Sequence, residues 1–353
     1  MKIATITFQN ADNYGAMLQC YALQQAITRI GYKCDVIDYY CEYLSKPYSV
    51  AALKRKGFIR FILGNINVLV RLPRKGNFKK FREEISKTIS VDKSNIKILN
   101  NEYDVFITGS DQVWNYQLTN FDTSYFLDFV NDSDKKISYA ASLGFDDFSD
   151  KVASQYYNLL KDYKCISVRE VSAKKLLDNI LCRDIQVVLD PTLLLAKEDW
   201  DKILVEPQKS KYIFVYQLSP SSYFTYILKE LKRKTGLKVI AVPFVMGCVC
   251  AEIDMLAGPS EWLGYIKNAE YIVTDSFHAT VFALVYNKKL YSCVNESASR
   301  IVDLLSMVKM KCFLFRKGRE FSLINDVDYI NSNKILDMQR EQSLCLLERM
   351  ISK

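Results

Sequence analysis

The chain contains a single histidine, His278, which follows an apolar segment that predicts a β-strand. Asp275 or Ser276, just before it, can cap a helix that begins there, and the free N–H groups at such a helix end favour phosphate. Ser276 is therefore also a candidate substrate contact. An imidazole titrates near neutral pH, so beside a bound anion it suits acid–base chemistry on a phosphorylated substrate. The alternative is a histidine that only packs in the core or caps the helix.

Two arginines also follow predicted strands. Arg169 stands in the run Ser167-Val168-Arg169-Glu170, and a guanidinium there can hold a carboxylate or phosphate with two parallel hydrogen bonds. The alternative for Arg169 is an ion pair with Glu170 or another neighbour. Arg300, in the run SASRI, follows the last predicted strand of the second half by a short loop. Its alternative is a routine arginine at a helix start.

In the first half of the chain, small and polar residues follow the predicted strands. In open parallel sheets, ligands bind outside the carboxyl ends of the strands, so these positions are candidate substrate contacts. The two sets are Asn13, Tyr14 and Gly15, and Gly109, Ser110 and Asp111.

Several common cofactor motifs are absent from the sequence. It has neither a G-x-x-x-x-G-K-S/T phosphate loop nor a complete G-x-G-x-x-G fingerprint, which argues against ordinary ATPases and dehydrogenases. The triplet Asp132-Ser133-Asp134 resembles a metal-binding DxD, but the polar run VNDSDKK around it indicates a loop. We therefore expect no metal and no cofactor.

Strands and helices alternate around these candidates. Residues 3–8 predict a strand, 15–30 a helix and 34–39 a second strand, which together form a βαβ unit and therefore a parallel sheet. The alternation continues in the first half, and it restarts after residue 211. Further strands are predicted at 103–108, 136–141, 165–168, 186–189, 212–217, 238–242, 271–274 and 289–294.

A break at Asp190-Pro191-Thr192 and the polar stretch 205–211 indicate a domain boundary. At 353 residues the chain is long enough for two domains. The predicted fold is α/β, with two doubly wound Rossmann-like domains facing across a cleft in a GT-B-like arrangement. The N-terminal domain covers residues 1–204 with a basic insertion at 41–82, the C-terminal domain covers 205–331, and a helix at 332–353 packs back on the N-terminal domain.

The net charge of +8 is concentrated in residues 54–82, where no acidic residue occurs. Together with many apolar residues, this charge is typical of an amphipathic helix on an anionic membrane surface. A helical insertion packed on the first domain explains it equally well, and nucleic-acid binding ranks below both. The basic residues are Lys54, Arg55, Lys56, Arg60, Arg71, Arg74, Lys75, Lys79, Lys80 and Arg82.

The remaining composition indicates a cytoplasmic protein. The ten cysteines lie mostly in apolar segments and are interpreted as reduced core residues. The start lacks the features of a signal peptide, and the apolar runs are far shorter than the ~20 residues that span a bilayer. We expect a cytoplasmic location, or a peripheral one at the inner face of the cell membrane.

Six motifs resemble the polysaccharide pyruvyl transferase family, and they occur in the family's order between about residue 5 and residue 305. The resemblance implies a GT-B-like fold, phosphoenolpyruvate as donor and a saccharide acceptor that is often lipid-linked. The motifs are NYGA with LQ (13–19), YDVFITGSDQVWN (103–115), ISYAASLG (137–144), ISVRE (166–170), LDPTLLL (189–195) and IVTDSFHATVFAL (272–284).

The resemblance also implies roles for individual residues. Arg169 and His278 match the family's donor-site arginine and histidine, and Arg300 is a weaker match to a further basic residue. Ala279 stands where glycine commonly follows the family's histidine. We hypothesise that His278 is the general acid and that Arg169 and Arg300 neutralise the donor's carboxylate and phosphate. Asp111 and Asn13 would hold acceptor hydroxyls or supply the base.

The implied reaction forms a pyruvate ketal on a sugar of a surface polysaccharide or its lipid-linked precursor. Two alternatives remain. A GT-B glycosyltransferase would use a nucleotide sugar, but no ribose-binding acid is evident beside His278. A non-catalytic glycan-binding relative would keep the fold but would not need the polar and charged residues that follow the predicted strands.

Overall fold

The computed structural model describes residues 1–45, 73–145, 147–242, 252–294 and 298–352, and these form two α/β units. Within those ranges, the first unit contains residues 1–45, 82–195 and 339–352, and the second contains 73–81 and 196–338. No helix in the described ranges is both long enough and apolar enough to cross a membrane.

The first unit is built on a seven-stranded parallel sheet. Its strands are β1 (Lys2–Ile6), β2 (Lys33–Tyr39), β3 (Lys87–Val91), β4 (Val105–Thr108), β5 (Lys136–Ala141), β6 (Cys165–Val168) and β7 (Gln186–Val187). They lie in the order β3-β2-β1-β4-β5-β6-β7. Every residue of β4 is buried, as expected for a central strand that helices cover on both faces.

The second unit is built on a six-stranded parallel sheet. Its strands are β8 (Ile213–Tyr216), β9 (Val239–Ala241), β10 (Glu252–Ile253), β11 (Tyr271–Thr274), β12 (Lys289–Cys293) and β13 (Leu314–Phe315). They lie in the order β10-β9-β8-β11-β12-β13. The predicted doubly wound α/β class is confirmed in both units.

Helices connect the strands of each sheet. Several of them begin at a capping residue or at proline, such as the first helix, which Asn13 caps. In chain order the helices are α1 (Tyr14–Arg29), α2 (Glu42–Ser45), α3 (Lys75–Arg82), α4 (Tyr116–Thr119), α5 (Asp150–Leu160), α6 (Val171–Leu181), α7 (Lys197–Asp201), α8 (Ser222–Thr235), α9 (Pro259–Asn268), α10 (Phe277–Val285), α11 (Ser299–Met307) and α12 (Ile330–Ser352).

The strand order reverses once in each sheet, and such reversals mark the usual ligand position in open α/β sheets. In the first unit the chain runs outward from β1 to β3 on one side and from β4 to β7 on the other. In the second unit the reversal lies between β8 and β11. Such switch points leave a crevice beyond the carboxyl ends of the two central strands, which is the usual ligand site in open α/β sheets.

The boundary between the units falls between Leu195 and Ala196, ahead of the predicted division after residue 204. The reason is packing, because Trp200 of α7 makes an edge-to-face contact with Phe282 in the second unit. The described part of the insertion that belongs to the second unit is residues 73–81. In the first unit, Nε of Arg340 on α12 donates to the Leu193 carbonyl at 2.7 Å.

Most of the basic segment, residues 54–72, lies outside the described residues, so the predicted membrane helix stays a prediction. In the described end of the segment two arginines are packed, whereas Lys75, Lys79 and Lys80 are exposed. Arg74 is buried beside the Phe78 ring, and Arg82 pairs with Asp12 at 2.5 Å. These two arginines therefore do not belong to a solvated basic face.

The cysteines are only partly core residues. Four of the described ones are buried, but Cys182, Cys312 and Cys345 are exposed. Cys182 ends α6 with a left-handed backbone, which places it at a surface turn. Cys248 and Cys250 lie outside the described residues. The buried ones are Cys20, Cys34, Cys41 and Cys293.

Candidate functional site

The loops that follow β1 and β4 are tied together at the switch point of the first unit. Thr7 Oγ1 donates to the Ser110 carbonyl at 2.8 Å, and Gln19 Nε2 donates to Thr7 Oγ1 at the same distance. A β-carbon on Gly109 would lie 3.3 Å from Thr7 Cβ, so the close approach of the loops favours glycine. Two of the sequence-predicted sets, which are far apart in the chain, thus meet at one place.

Asn13, Tyr14 and Gly15 form the beginning of α1 at this switch point. The Asn13 side chain accepts a hydrogen bond from the Ala16 N–H at 3.2 Å, so it is the helix cap. Tyr14 and Gly15 are buried. Within this set, the half-buried Asn13 is the side chain nearest to solvent.

Asp111 has a left-handed backbone, with φ of 77°. Its carbonyl accepts from the Ser142 N–H at 3.0 Å, and its Oδ1 accepts from the Gln112 N–H at 2.8 Å. A non-glycine residue in this conformation costs free energy, which the surrounding bonds must supply. The carboxylate is only half-buried, so it remains accessible at the strand end, as a catalytic or binding residue must be.

Arg169 lies inside the first unit in a buried polar network. Its side chain is 2% exposed, and Nη1 lies 2.8 Å from Asp190 Oδ2. Its Nε lies 3.7 Å from Glu170 Oε2. Burial disfavours the charged form, but the carboxylates of Asp190, Glu170 and Asp111 outweigh it and raise the pKa of Arg169. The guanidinium is therefore permanently charged.

The same network holds the ends of β4, β5, β6 and β7. Ser110 Oγ donates to Asp190 at 2.9 Å, and Ser142 Oγ donates to Glu170 at 2.7 Å. Asp190 also accepts from the Thr192 N–H at 3.0 Å. Ser110 and Arg169, both predicted substrate contacts, are thus engaged with protein carboxylates. The ion pair that the sequence left open as an alternative is present, and a direct contact between Arg169 and substrate stays a prediction.

His278 is the second residue of α10, directly beyond the carboxyl end of β11. Ser276 Oγ accepts from the Ala279 N–H at 3.4 Å and caps this helix. The imidazole is half-buried and meets the Phe277 ring edge-on at 5.2 Å. It therefore lies in the first helical turn, where the helix dipole favours an anion.

Asp275 plays a part that the sequence did not predict. Instead of capping α10, its carboxylate accepts from the Leu218 N–H at 2.6 Å and from the Ser219 N–H at 2.9 Å. These bonds join the loop after β8 to the loop after β11 across the switch point. Burial raises the pKa of Asp275, and the two backbone hydrogen bonds oppose that rise.

Arg300 is the second residue of α11, which follows β12. Because β12 lies beside β11 and α11 packs on α10, the arginine is carried by the element next to the one that carries His278. Its side chain is half-buried. Within the ranges that the structure describes, no group of three His, Cys, Asp or Glu side chains is arranged to hold a metal ion.

Comparison with known proteins gives both a family and a fold. The family model for polysaccharide pyruvyl transferase matches residues 13–297, whereas no curated protein matches the chain. A solved Listeria monocytogenes protein described as a UDP-N-acetylglucosamine 2-epimerase is 10% identical, covering 98% of this chain and 90% of its own, with a TM-score of 0.50. At this identity the likeness is one of fold.

Two further solved structures are similar over nearly the whole chain. UDP-GlcNAc 2-epimerase from Methanocaldococcus jannaschii is 13% identical, covering 98% of this chain and 93% of that one, with a TM-score of 0.48. An alpha-glucosyltransferase in complex with UDP is 9% identical, with coverage of 99% and 93% and a TM-score of 0.49. The chain has the GT-B fold of two Rossmann-like domains.

Proposed function

Because the chain belongs to the polysaccharide pyruvyl transferase family, we propose that it transfers a pyruvyl group from phosphoenolpyruvate to a sugar of a surface polysaccharide or its lipid-linked precursor. The observation that carries this proposal is the position of His278 in the capped first turn of α10 at the switch point of the second unit. A proton donor beside a helix N-terminus suits an acid-labile phosphate ester.

The proposed reaction forms a cyclic ketal. A proton adds to the methylene carbon of phosphoenolpyruvate, and one sugar hydroxyl attacks the carbon that bears the phosphate. Inorganic phosphate leaves from that carbon, and a second hydroxyl closes the ring on it. The two hydroxyls lose their protons, so a general acid and a general base are both required.

We assign the general acid to His278 and the contact with the donor's anionic groups to Arg300. Ser276 keeps the N–H groups of α10 in place by capping the helix. The base and acceptor contacts are assigned to Asp111 and Asn13, which lie at the switch point of the first unit. No metal or cofactor takes part in this proposal.

Arg169 supports the acceptor side in this proposal. It is buried with Asp190 and Glu170, so one positive charge faces two negative ones. A direct contact of the guanidinium with the donor's anionic groups, which the family resemblance implies, stays part of this proposal. Its Nη1 also donates to Ser110 Oγ at 3.4 Å and so helps to position the loop that presents Asp111.

The test is phosphate release from phosphoenolpyruvate in the presence of lipid-linked or aryl-linked hexosides, comparing wild type with His278→Ala. We expect release that depends on the acceptor and falls by about 10²–10⁴-fold in the variant. Transfer from a nucleotide sugar without any such release would show a glycosyltransferase. Release of equal rate in both proteins would remove His278 from the mechanism.

Asp111→Asn tests the proposed base separately. Asparagine tolerates the left-handed backbone and can still accept from Gln112, so the fold is kept. We expect kcat to fall by about 10²-fold or more with little change in the KM for phosphoenolpyruvate. An unchanged kcat would assign the base elsewhere.

A further inference from the structure

A pocket of about 500 Å³ lies beyond the carboxyl ends of β2 and β3 in the first unit. The described residues of its wall are 39–43, 92–94 and 119–122. It is separate from the residues assigned above, but it lies on the same edge of the sheet as Asp111, because β2 is adjacent to β1 and β1 to β4. The volume is in the range of small-molecule sites.

We propose that this pocket binds an uncharged sugar ring of the acceptor saccharide. That the sugar belongs to the acceptor rests on the proposed function. That the ligand is an uncharged sugar rests on the chemistry of the pocket itself. That chemistry combines exposed aromatic rings, fixed hydrogen-bond acceptors and an excess of negative charge.

Aromatic side chains form part of the wall. Tyr40 and Tyr43 are 56% and 44% exposed, although tyrosine rings usually bury most of their surface. Phe121 adds a third ring, half-buried against Phe126. A pyranose presents a face of C–H bonds that packs on such rings, and the tyrosine hydroxyls can also meet sugar hydroxyls.

Two carboxylates in the wall are held in fixed positions. Asp122 Oδ2 accepts from Tyr39 Oη at 2.7 Å, and its Oδ1 accepts from the Ser124 N–H at 3.1 Å. Asp92 accepts from the Ser94 N–H at 2.8 Å, and its hydrogen bonds to Ser94 lower the pKa of Asp92. Both carboxylates are therefore hydrogen-bond acceptors with a fixed orientation, so little further ordering is needed when sugar hydroxyl groups bind.

The charge of the wall selects a neutral ligand over an anionic one. Among the described residues of the wall, Asp92 and Asp122 carry two negative charges against the one positive charge of Lys93. The Lys93 ammonium is 3.3 Å from Thr123 Oγ1 and 4.0 Å from Asp122, so its charge is partly compensated. This local excess of negative charge disfavours phosphoenolpyruvate and nucleotides relative to an uncharged ligand.

The first experiment measures binding without any donor. The methyl glucoside, galactoside and mannoside, each paired with its uronate, are titrated into wild type and observed by ligand NMR. We expect at least one neutral hexoside to bind, and the matching uronate to bind several-fold more weakly because of the wall's charge. Failure of all neutral hexosides to bind, or tighter binding of the uronate, would overturn the proposal.

Two variants place the binding in this pocket. Tyr43→Ala removes an exposed ring, and Asn120→Gly removes an amide while keeping the left-handed backbone of φ 52°. We expect each variant to bind the neutral hexoside with an affinity about tenfold lower than that of wild type. The matched control is Tyr157→Ala, which removes a tyrosine of equal exposure, 45%, from α5 outside the pocket. Equal affinity in Tyr43→Ala and Tyr157→Ala would overturn the location.

Kinetics then separate this proposal from the proposed function. If acceptor-dependent phosphate release occurs, Tyr43→Ala should raise the KM for the acceptor and leave the KM for phosphoenolpyruvate unchanged. Release with an unchanged acceptor KM overturns the sugar site and leaves the pyruvyl transfer standing. Hexoside binding that depends on Tyr43, with no release from phosphoenolpyruvate, supports the site and overturns the proposed reaction.

Discussion

Nη1 of Arg169 lies 2.8 Å from Oδ2 of Asp190, and both side chains are almost completely removed from solvent. Lys174 and Asp184 form an ion pair of the same length in the same unit, but the Asp184 side chain is 78% exposed. Because the two ion pairs have the same length but differ in burial, comparing them shows how burial changes the contribution of an ion pair to stability. Surface pairs contribute little, whereas breaking a buried pair leaves an uncompensated charge.

We predict that Asp190→Ala lowers the free energy of unfolding by about 3–5 kcal/mol. The variant leaves Arg169 buried and removes the acceptor of Ser110 and Thr192 as well. The measurement is urea denaturation followed by tryptophan fluorescence. Asp184→Ala is the control, and we expect its unfolding curve to overlay that of wild type. Similar losses in the two variants would contradict the assigned role of burial.

A second prediction concerns the pH dependence that Asp275 confers. Burial raises the pKa of its carboxyl above the ordinary 3.8, so the folded state binds this proton more tightly than the unfolded state does. The contribution of Asp275 to stability is then complete below pH 3.8 and is lost as the pH rises through the folded pKa.

Asp275→Asn removes this titration. We expect the stability of wild type relative to Asp275→Asn to decline as the pH rises from about 4 and to become constant above the folded pKa. Urea denaturation of both proteins across pH 4–7 measures the difference and cancels the contribution of other groups. A relative stability that increases over this range would mean that the bonds from Leu218 and Ser219 outweigh burial.

Gly264 gives a third prediction, about packing in the second unit. It lies within α9, and a β-carbon there would stand 2.8 Å from the Val205 carbonyl carbon and still closer to the oxygen. Backbone atoms cannot move aside as a flexible side chain does, so Gly264→Ala should destabilise by about 2 kcal/mol despite alanine's better helix propensity.

Gly76→Ala is the control for that prediction. Gly76 is also helical, in α3, and a β-carbon there meets nothing within 4 Å. The higher helix propensity of alanine should then be the main effect, and Gly76→Ala should raise the free energy of unfolding by up to about 1 kcal/mol. Thermal or urea unfolding that gave the same sign for both variants would contradict the steric explanation.

The ends of the central strands follow well from the sequence, because strand–helix alternation locates the residue after each strand. Gly109 lies directly after β4 and His278 just beyond β11, where the alternation predicts them. The edge strands β3, β10 and β13 were not predicted. β10 and β13 have only two residues each, too few to show a periodic pattern.

The partners of the strand-end residues were much harder to predict. Asp190 is 21 residues from Arg169, and Leu218 is 57 from Asp275. Those pairs form only because particular parallel strands are neighbours in the sheet. The order of strands in a sheet cannot be deduced from the periodicity of a single sequence. The sequence Leu189-Asp190-Pro191 after β7 was recognised as part of a motif, but the pairing of Asp190 with Arg169 was not predicted.

The last prediction concerns Ser276 and the helix that carries His278. Ser276 and Ser221 cap α10 and α8 in the same unit by accepting from the third residue beyond them, at 3.4 and 3.2 Å. Replacing either serine with alanine should cost about 1 kcal/mol of stability. Only Ser276→Ala should also lower kcat for acceptor-dependent phosphate release, because it loosens the first turn that holds the imidazole. Measured side by side, an equal loss of kcat in Ser221→Ala would show that the effect follows stability alone, and an unchanged kcat in Ser276→Ala would show that the first turn of α10 does not position His278 for the reaction.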